Sequence, residues 1–353
     1  MRRILLLTKT ILVSGAVFAQ DTTTVDIKEK GDLQINGSVD VYYRYNFQNA
    51  KSSSSGVLNN NVTSFTNSQN SIELGMASVK ASYTKGKAGV VVDLGFGPRA
   101  KEFAYAESGI SQAIKQAYVT YSPTDYLTFS AGKWGTHLGY EVLDPQLNRN
   151  YSMSYMFSYG PFSHTGLKAN VTLGDGFGLM AGVTNPTDFL SASFAKKNII
   201  GQLSKTSESV SAYLNYVGGK DTANNNSNQL GLTVTAKIVD QFSIGYDGTV
   251  KFIDPVTGGS GSWWGSALYF NVDPSEKFGI TLRGEYFDDK KGFTAVGTSV
   301  VQGTLSFNIK PVTGLTLIPE FRLDSAKDPI FSKNSGADTK STGTFLLAAI
   351  YSF

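Results

Sequence analysis

The chain has 353 residues, no Cys, two His and a formal net charge of +3. Three of its 31 basic residues lie in the first 19 positions, so a mature chain starting at residue 20 has 28 basic and 28 acidic residues. A chain without net charge is a poor candidate for binding nucleic acid. The absence of Cys excludes disulfides, thiolate zinc sites and a Cys nucleophile. Its many Gly, Phe and Tyr residues favour strands and turns over helices.

Residues 1–19 have the pattern of a secretory signal peptide. Arg2 and Arg3 precede an interrupted apolar run that ends in small residues, with Ala19 at a plausible cleavage site. The run is too short for a membrane anchor, which needs about 20 apolar residues. No apolar window of that kind follows it. We therefore predict one exported domain over residues 20–353, either soluble or a membrane barrel.

Alternation of apolar and polar residues decides between these two. It persists over about nine residues in many segments, whereas strands of soluble proteins usually have about five or six. A tilted strand that crosses a membrane needs about 9–11. Sixteen segments fit this pattern: 33–47, 70–84, 88–96, 112–121, 127–133, 164–173, 177–183, 198–204, 209–217, 229–238, 242–252, 263–272, 278–288, 298–309, 315–323 and 342–353. The phase slips near Ala77, which indicates a bulge, and Lys115 falls in phase with apolar neighbours.

The connections between these segments alternate in length. Seven are tight turns with Gly, Pro, Asp or Ser at the bend. Eight are longer and polar: 48–69, 97–111, 134–163, 184–197, 218–228, 253–262, 289–297 and 324–341. Short turns on one rim and long loops on the other are typical of outer-membrane barrels.

These patterns together predict an all-β fold, a transmembrane antiparallel β-barrel of sixteen strands with short periplasmic turns and long extracellular loops. A sheet survives in hydrocarbon only when it closes on itself, because every backbone N–H and C=O must then be paired internally. The apolar face should contact outer-membrane lipid, and a barrel of this size can hold an aqueous channel. The charges predicted to face the lumen are Arg44, Glu73, Arg283, Glu285, Glu320 and Arg322.

The last segment has Phe345, Leu347, Ala349 and Tyr351 on one face and ends at Phe353. An aromatic carboxyl terminus of this kind resembles the signal read by barrel-assembly machinery, which we expect to be a partner of the chain. The alternative is an ordinary edge strand of a soluble sheet.

The longest connection, 134–163, is the third long loop. It carries His137, Glu141, Asp144 and Arg149 among many aromatic residues. We expect it to fold into the lumen, where fixed charges of both signs would form the pore constriction and orient polar solutes. The alternative is an exposed loop with solvated charges.

Several short motifs lie in and beside this loop. They include Gly132-Lys133-Trp134, Asn148-Arg149-Asn150-Tyr151-Ser152 and Pro161-Phe162 followed by His164-Thr165-Gly166. Their order resembles the OmpL-like beta-barrel porin family, also called beta-barrel porin 2. The resemblance implies an outer-membrane pore without a defined substrate. One departure is Asn185-Pro186-Thr187, where an Asn-Gly-Trp-like turn is expected.

The function predicted from sequence is an outer-membrane porin, a passive diffusion channel for small hydrophilic solutes. About thirteen residues precede the first strand, too few for the plug of an active transporter. We predict no enzyme, because no catalytic motif is present, and no cofactor or metal, because His137 and His164 have no ligand cluster at metal spacing. The alternative is a surface-structural or adhesin-like barrel with an occluded lumen. Solute preference and the choice between homotrimer and monomer stay open.

Overall fold

The computed structural model describes residues 31–50 and 58–353, and the predicted signal peptide at 1–19 lies outside these ranges. The strands are β1 (Asp32–Asn46), β2 (Ser71–Lys85), β3 (Ala88–Phe96), β4 (Ile114–Thr124), β5 (Leu127–Gly135), β6 (Ser163–Gly174), β7 (Phe177–Thr184), β8 (Asn198–Thr206), β9 (Val210–Lys220), β10 (Asn226–Val239), β11 (Phe242–Asp254), β12 (Gly261–Ser275), β13 (Phe278–Asp288), β14 (Ser299–Val312), β15 (Leu315–Ala326), β16 (Phe331–Ser332), β17 (Asp338–Thr339) and β18 (Ser341–Ser352).

Sixteen of these strands close into one antiparallel barrel. Each long strand pairs with its neighbours along the chain, and β1 pairs with β18 to close the cylinder. The short strands β16 and β17 form a separate ribbon in the connection before β18. The predicted barrel is therefore confirmed, and each predicted segment matches one barrel strand with ends that differ by at most three residues.

Two bulges explain the irregular phases in the sequence. Asp40 of β1 pairs with Met76 of β2, but the next pair is Val41 with Leu74, so Gly75 is an extra residue. In the same way Lys115 is extra in β4, where it interrupts the register with β3. A bulge adds one residue to one strand and changes the face that a side chain takes. The phase slip predicted near Ala77 thus corresponds to the bulge at Gly75.

The two faces of the barrel differ as the alternation requires. Large apolar side chains such as Leu33, Leu167 and Leu323 are more than half exposed on the outer face. The polar residues on the opposite face of the strands, which include Asp40, Arg283 and Glu320, are buried inside the cylinder. This arrangement is the reverse of a soluble sandwich and suits a wall whose outside contacts lipid.

The helices of the described residues all lie in long loops. They are α1 (Pro98–Phe103) and α2 (Tyr155–Tyr159), with 3-10 turns at Leu58–Asn60, Gly109–Ala113 and Pro145–Leu147. Within residues 31–50 and 58–353, none of these helices has the length or apolar character needed to span a membrane. Their role is to shape the segments that enter the barrel.

Candidate functional site

Loop 3, residues 136–162 between β5 and β6, folds into the barrel and reaches its far wall. The backbone N–H groups of Tyr151 and Ser152 donate to the carboxylate of Glu320 on β15, at 2.8 and 3.2 Å. The N–H groups of Tyr155 and Met156 donate to Glu285 on β13, at 2.9 and 2.8 Å. Each wall carboxylate therefore holds two consecutive backbone groups of the loop.

The second of these contacts uses the start of α2. The first N–H groups of a helix have no partner within the helix and carry partial positive charge, so a carboxylate placed there is stabilising. Ser154 caps the helix, because its Oγ accepts from Phe157 N at 3.1 Å. Ser154 and Glu285 together accept hydrogen bonds from the N–H groups at the start of α2 that have no partner within the helix.

Glu141 of loop 3 and Arg283 of β13 form a buried ion pair at 2.5 Å, with 4% and 0% of their side chains exposed. Arg283 also donates to Ser152 O at 2.7 Å, and Glu141 accepts from Ser154 N at 2.8 Å. A buried pair persists only when further hydrogen bonds satisfy its remaining groups. These two predicted site residues thus meet each other and the loop backbone, and they do not face open water.

Of the other charges predicted for the lumen, Arg322 and Arg44 contact inward-folded chain, and Glu73 contacts the neighbouring wall strand. Arg322 donates to Met153 O of loop 3 at 2.7 Å and pairs with Asp324. Arg44 donates to the carbonyl groups of Asn59 and Ser68 in the connection between β1 and β2, at 3.1 and 2.7 Å. Glu73 lies opposite Tyr42, whose hydroxyl donates to it over 3.4 Å.

Arg149 fixes the lower part of loop 3. Its guanidinium contacts both carboxylate oxygens of Asp273 on β12, at 3.0 and 2.6 Å, and donates to Thr281 Oγ1 at 2.7 Å. The carbonyl group of Arg149 accepts from Asn308 Nδ2, and Asn150 Nδ2 donates to Ser306 Oγ. The Asn-Arg-Asn-Tyr-Ser motif thus ties loop 3 to the four consecutive strands β12, β13, β14 and β15.

His137 lies near the start of loop 3, beside His164 of β6. The two rings are 5.1 Å apart, and each ring has one Nε2 contact, His137 to Tyr216 O and His164 to Thr136 Oγ1, both at 3.1 Å. Burial lowers the pKa of His137 to about 4, so its ring is neutral at pH 7. Among the described residues, no group of three or more His, Cys, Asp or Glu could hold a metal ion.

Two other connections pack on loop 3 from the long-loop side. The guanidinium of Arg99 in α1 donates to Leu143 O and Tyr151 O, and lies between the rings of Phe65 and Tyr151. Phe65 also packs against Phe157 and Phe162. Much of the upper lumen is therefore filled with protein.

Asp144 lies apart from the other predicted constriction residues. Its carboxylate pairs with Lys115, which the bulge in β4 turns inward and which also pairs with Asp93 of β3 at 3.0 Å. A cavity of about 230 Å³ lies here, between loop 3 and the wall of β2–β5. Its lining includes Lys80 of β2, which the sequence reasoning missed although Lys80 alternates with apolar Val79 and Ala81. Lys115 and Asp93 were not predicted as site residues either. The position of Lys115 in phase with apolar residues was the signal that could have indicated them.

The sequence matches the family described as "Putative beta-barrel porin-2, OmpL-like" over residues 32–353. This chain belongs to that porin family. The resemblance drawn from the loop 3 motifs is thereby confirmed. No curated protein matches the porin at a significant level.

Solved structures share the fold of this porin. An anion-selective porin from Comamonas acidovorans is 11% identical with a TM-score of 0.62, over 92% of this chain and 100% of that one. The outer-membrane channel DcaP of Acinetobacter baumannii is 14% identical with a TM-score of 0.62, over 97% and 100%. OmpT of Vibrio cholerae in a trimer form is 13% identical with a TM-score of 0.60, over 92% and 100%. The porin thus belongs to the bacterial outer membrane.

Proposed function

We propose that this porin is a passive diffusion channel for small hydrophilic solutes and that its narrowest part lies beside loop 3. The observation that carries the proposal is the attachment of loop 3 across the lumen by Glu285 and Glu320. Loop 3 begins and ends at β5 and β6 and is bound on the far wall by β13 and β15. It therefore narrows the lumen, while the rest of the wall stays polar. The proposal includes no catalytic step.

The four predicted constriction residues take different parts in this proposal. Glu141 and Arg149 hold the loop through Arg283 and Asp273, and His137 packs at its start. Asp144 contributes to the cavity lining. The path that we propose for solutes runs past this cavity, along the inner face of β2–β5.

A second candidate function is a surface-structural or adhesin-like barrel with an occluded lumen. The packing of Arg99 and Phe65 on loop 3 favours it, since one cavity in that region, lined by Arg44 and Tyr155, has a volume of only about 10 Å³. The two functions differ in transport, because only the first one requires an open path.

Liposome swelling separates the two candidates. Proteoliposomes that contain the full-length mature porin are placed in isotonic arabinose, glucose, sucrose or raffinose. A diffusion channel gives swelling rates that fall with solute size. Swelling no faster than that of protein-free liposomes for every sugar would reject the channel and favour the occluded barrel.

We further propose that barrel-assembly machinery recognises the last strand. Leu347, Tyr351 and Phe353 are exposed on its outer face. Replacing Phe353 by Ser should lower the amount of folded barrel in the outer membrane, with a Phe47→Ser variant as the control for loss of one exposed ring.

We also propose that the folded porin is a homotrimer. Light scattering of the porin in detergent tests this, because a trimer has three times the protein mass of a monomer.

A further inference from the structure

The bulge in β4 leaves Lys80 of the lumen without a carboxylate partner. Lys80 of β2 lies directly opposite Asp93 of β3 in the register, so the two could pair. The bulge turns Lys115 inward, where it pairs with Asp93 Oδ1 at 3.0 Å, while Gln116 Nε2 donates to Oδ2 at 3.0 Å. Both oxygens of Asp93 are therefore engaged by β4.

Lys80 is left with an unpaired ammonium group. No carboxylate among the described residues forms an ion pair with it, and it lines the cavity beside loop 3. The carboxylates of loop 3 nearby are also engaged, Asp144 by Lys115 and Glu141 by Arg283. Lys133 of β5 and Lys168 of β6 are two more inward cations without an ion pair among the described residues. Lys133 Nζ donates to Ile114 O at 2.9 Å, and Lys168 Nζ lies 4.6 Å from the Trp134 ring.

Each of the inward acids near loop 3 has at least one polar partner, which for Asp144 is the ammonium group of Lys115. Each already accepts hydrogen bonds, as Asp40 does from Tyr151 and Met76, and Asp247 does from Tyr140. Glu285 and Glu320 accept from the loop backbone. The carboxylates near loop 3 are thus already paired or hydrogen-bonded, whereas the ammonium group of Lys80 has no carboxylate partner among the described residues.

The opposite side of the same cavity is apolar. Loop 3 contributes Val142, Leu143 and Leu147, and Phe103 and Phe162 close the upper side. Leu147 is 70% exposed and Val142 is 39% exposed. An exposed apolar surface inside a water-filled barrel is available to the hydrocarbon part of a solute.

We propose that this cavity is a subsite for small organic anions with an apolar body, such as an aromatic carboxylate; the inference rests on the proposed channel function. Lys80 binds the carboxylate, and Val142 and Leu147 contact the ring. An engineered apolar cavity of about 150 Å³ accepts benzene. The volume of about 230 Å³ beside loop 3 leaves room for a ring that bears a carboxylate.

The test uses the full-length mature porin in planar bilayers with KCl. Reversal potentials under a KCl gradient report ion preference, and added benzoate, acetate or benzyl alcohol reports block of the current. We expect anion preference in the wild type, and block by benzoate at lower concentration than by acetate or benzyl alcohol. Lys80→Gln should reduce the anion preference and weaken benzoate block about tenfold, the loss expected for one charge-assisted hydrogen bond.

Three further variants separate charge from shape. Lys80→Arg keeps the cation and should retain the anion preference. Leu147→Asn should weaken benzoate block several-fold and leave the reversal potential unchanged, because it alters only the apolar side. Lys340→Gln removes an exposed lysine in the connection before β18 and should behave as wild type.

Two results would overturn the inference while the channel function stands. One is an equal reversal potential for wild type and Lys80→Gln, and the other is equal block by benzoate, acetate and benzyl alcohol. A wild-type protein that neither conducts KCl nor swells liposomes would instead reject the channel itself, and the subsite with it.

Discussion

The hold of Glu320 on loop 3 can be tested by the change Glu320→Gln. The carboxylate accepts from Tyr151 N and Ser152 N through its two oxygens. Gln keeps the shape but offers one oxygen and one amino group, so one buried N–H loses its acceptor, at a cost of about 1–3 kcal/mol. The remaining bond changes from charged to neutral, which costs about 1 kcal/mol more. The attached state of the loop should therefore be weakened by about 2–4 kcal/mol relative to the displaced state.

At about 1.4 kcal/mol per tenfold change, this weakening raises the population of the displaced loop about 30- to 700-fold. Single-channel recordings should then show more frequent steps between conductance levels than the wild type. Glu276→Gln makes the same chemical change in the turn before β13 and serves as the control. Recordings of Glu320→Gln that match the wild type in step frequency and open-channel noise would refute the idea that this carboxylate holds the loop.

Three further changes test other contacts of loop 3. Lys115→Met leaves Asp93 and Asp144 without a cation, so the urea concentration at the midpoint of unfolding in lipid vesicles should fall, by the equivalent of about 3 kcal/mol. Arg149→Gln, which breaks the two contacts with the half-exposed Asp273, should increase the frequency of conductance steps less than Glu320→Gln does, since exposed pairs contribute less. Burial depresses the pKa of His137 from 6.5 to about 4, and protonation therefore favours the displaced loop. Attachment should be complete above pH 6.5 and weaken as the pH falls from 6.5 towards 4, because the buried ring resists protonation and the positive charge of Lys168 repels a second one. His137→Gln should flatten this dependence in recordings at several pH values.

Most of the barrel could be predicted because the patterns that indicate it lie in consecutive residues. Alternation along a strand and the length of each connection are both properties of consecutive residues, and they locate all sixteen long strands. The ribbon of β16 and β17 was not predicted, since two-residue strands are too short to show a period. Helix α1 was missed for a similar reason, because six residues give fewer than two turns of pattern.

The site could be predicted only in part because its contacts join residues far apart in the chain. The sequence predicts Arg283 as a charge of the lumen and Glu141 as a residue of the constriction, but nothing in their own segments indicates that they form an ion pair. The partners of Glu285 and Glu320 are backbone N–H groups, which every residue but Pro carries and which no motif marks. The phase of Lys115 was visible in the sequence, yet its meaning depends on the register between β3 and β4.

The extra residue in β4 has an evolutionary consequence. Deleting it would restore a regular ladder, remove the Lys115 cation from the interior and leave Asp93 free to pair with Lys80, which lies directly opposite it on β2. The charge that passing molecules meet would then change through a one-residue deletion, without any amino-acid substitution in the wall. Relatives that differ in which ions they admit would accordingly be distinguished by gaps in an alignment at this point of the strand.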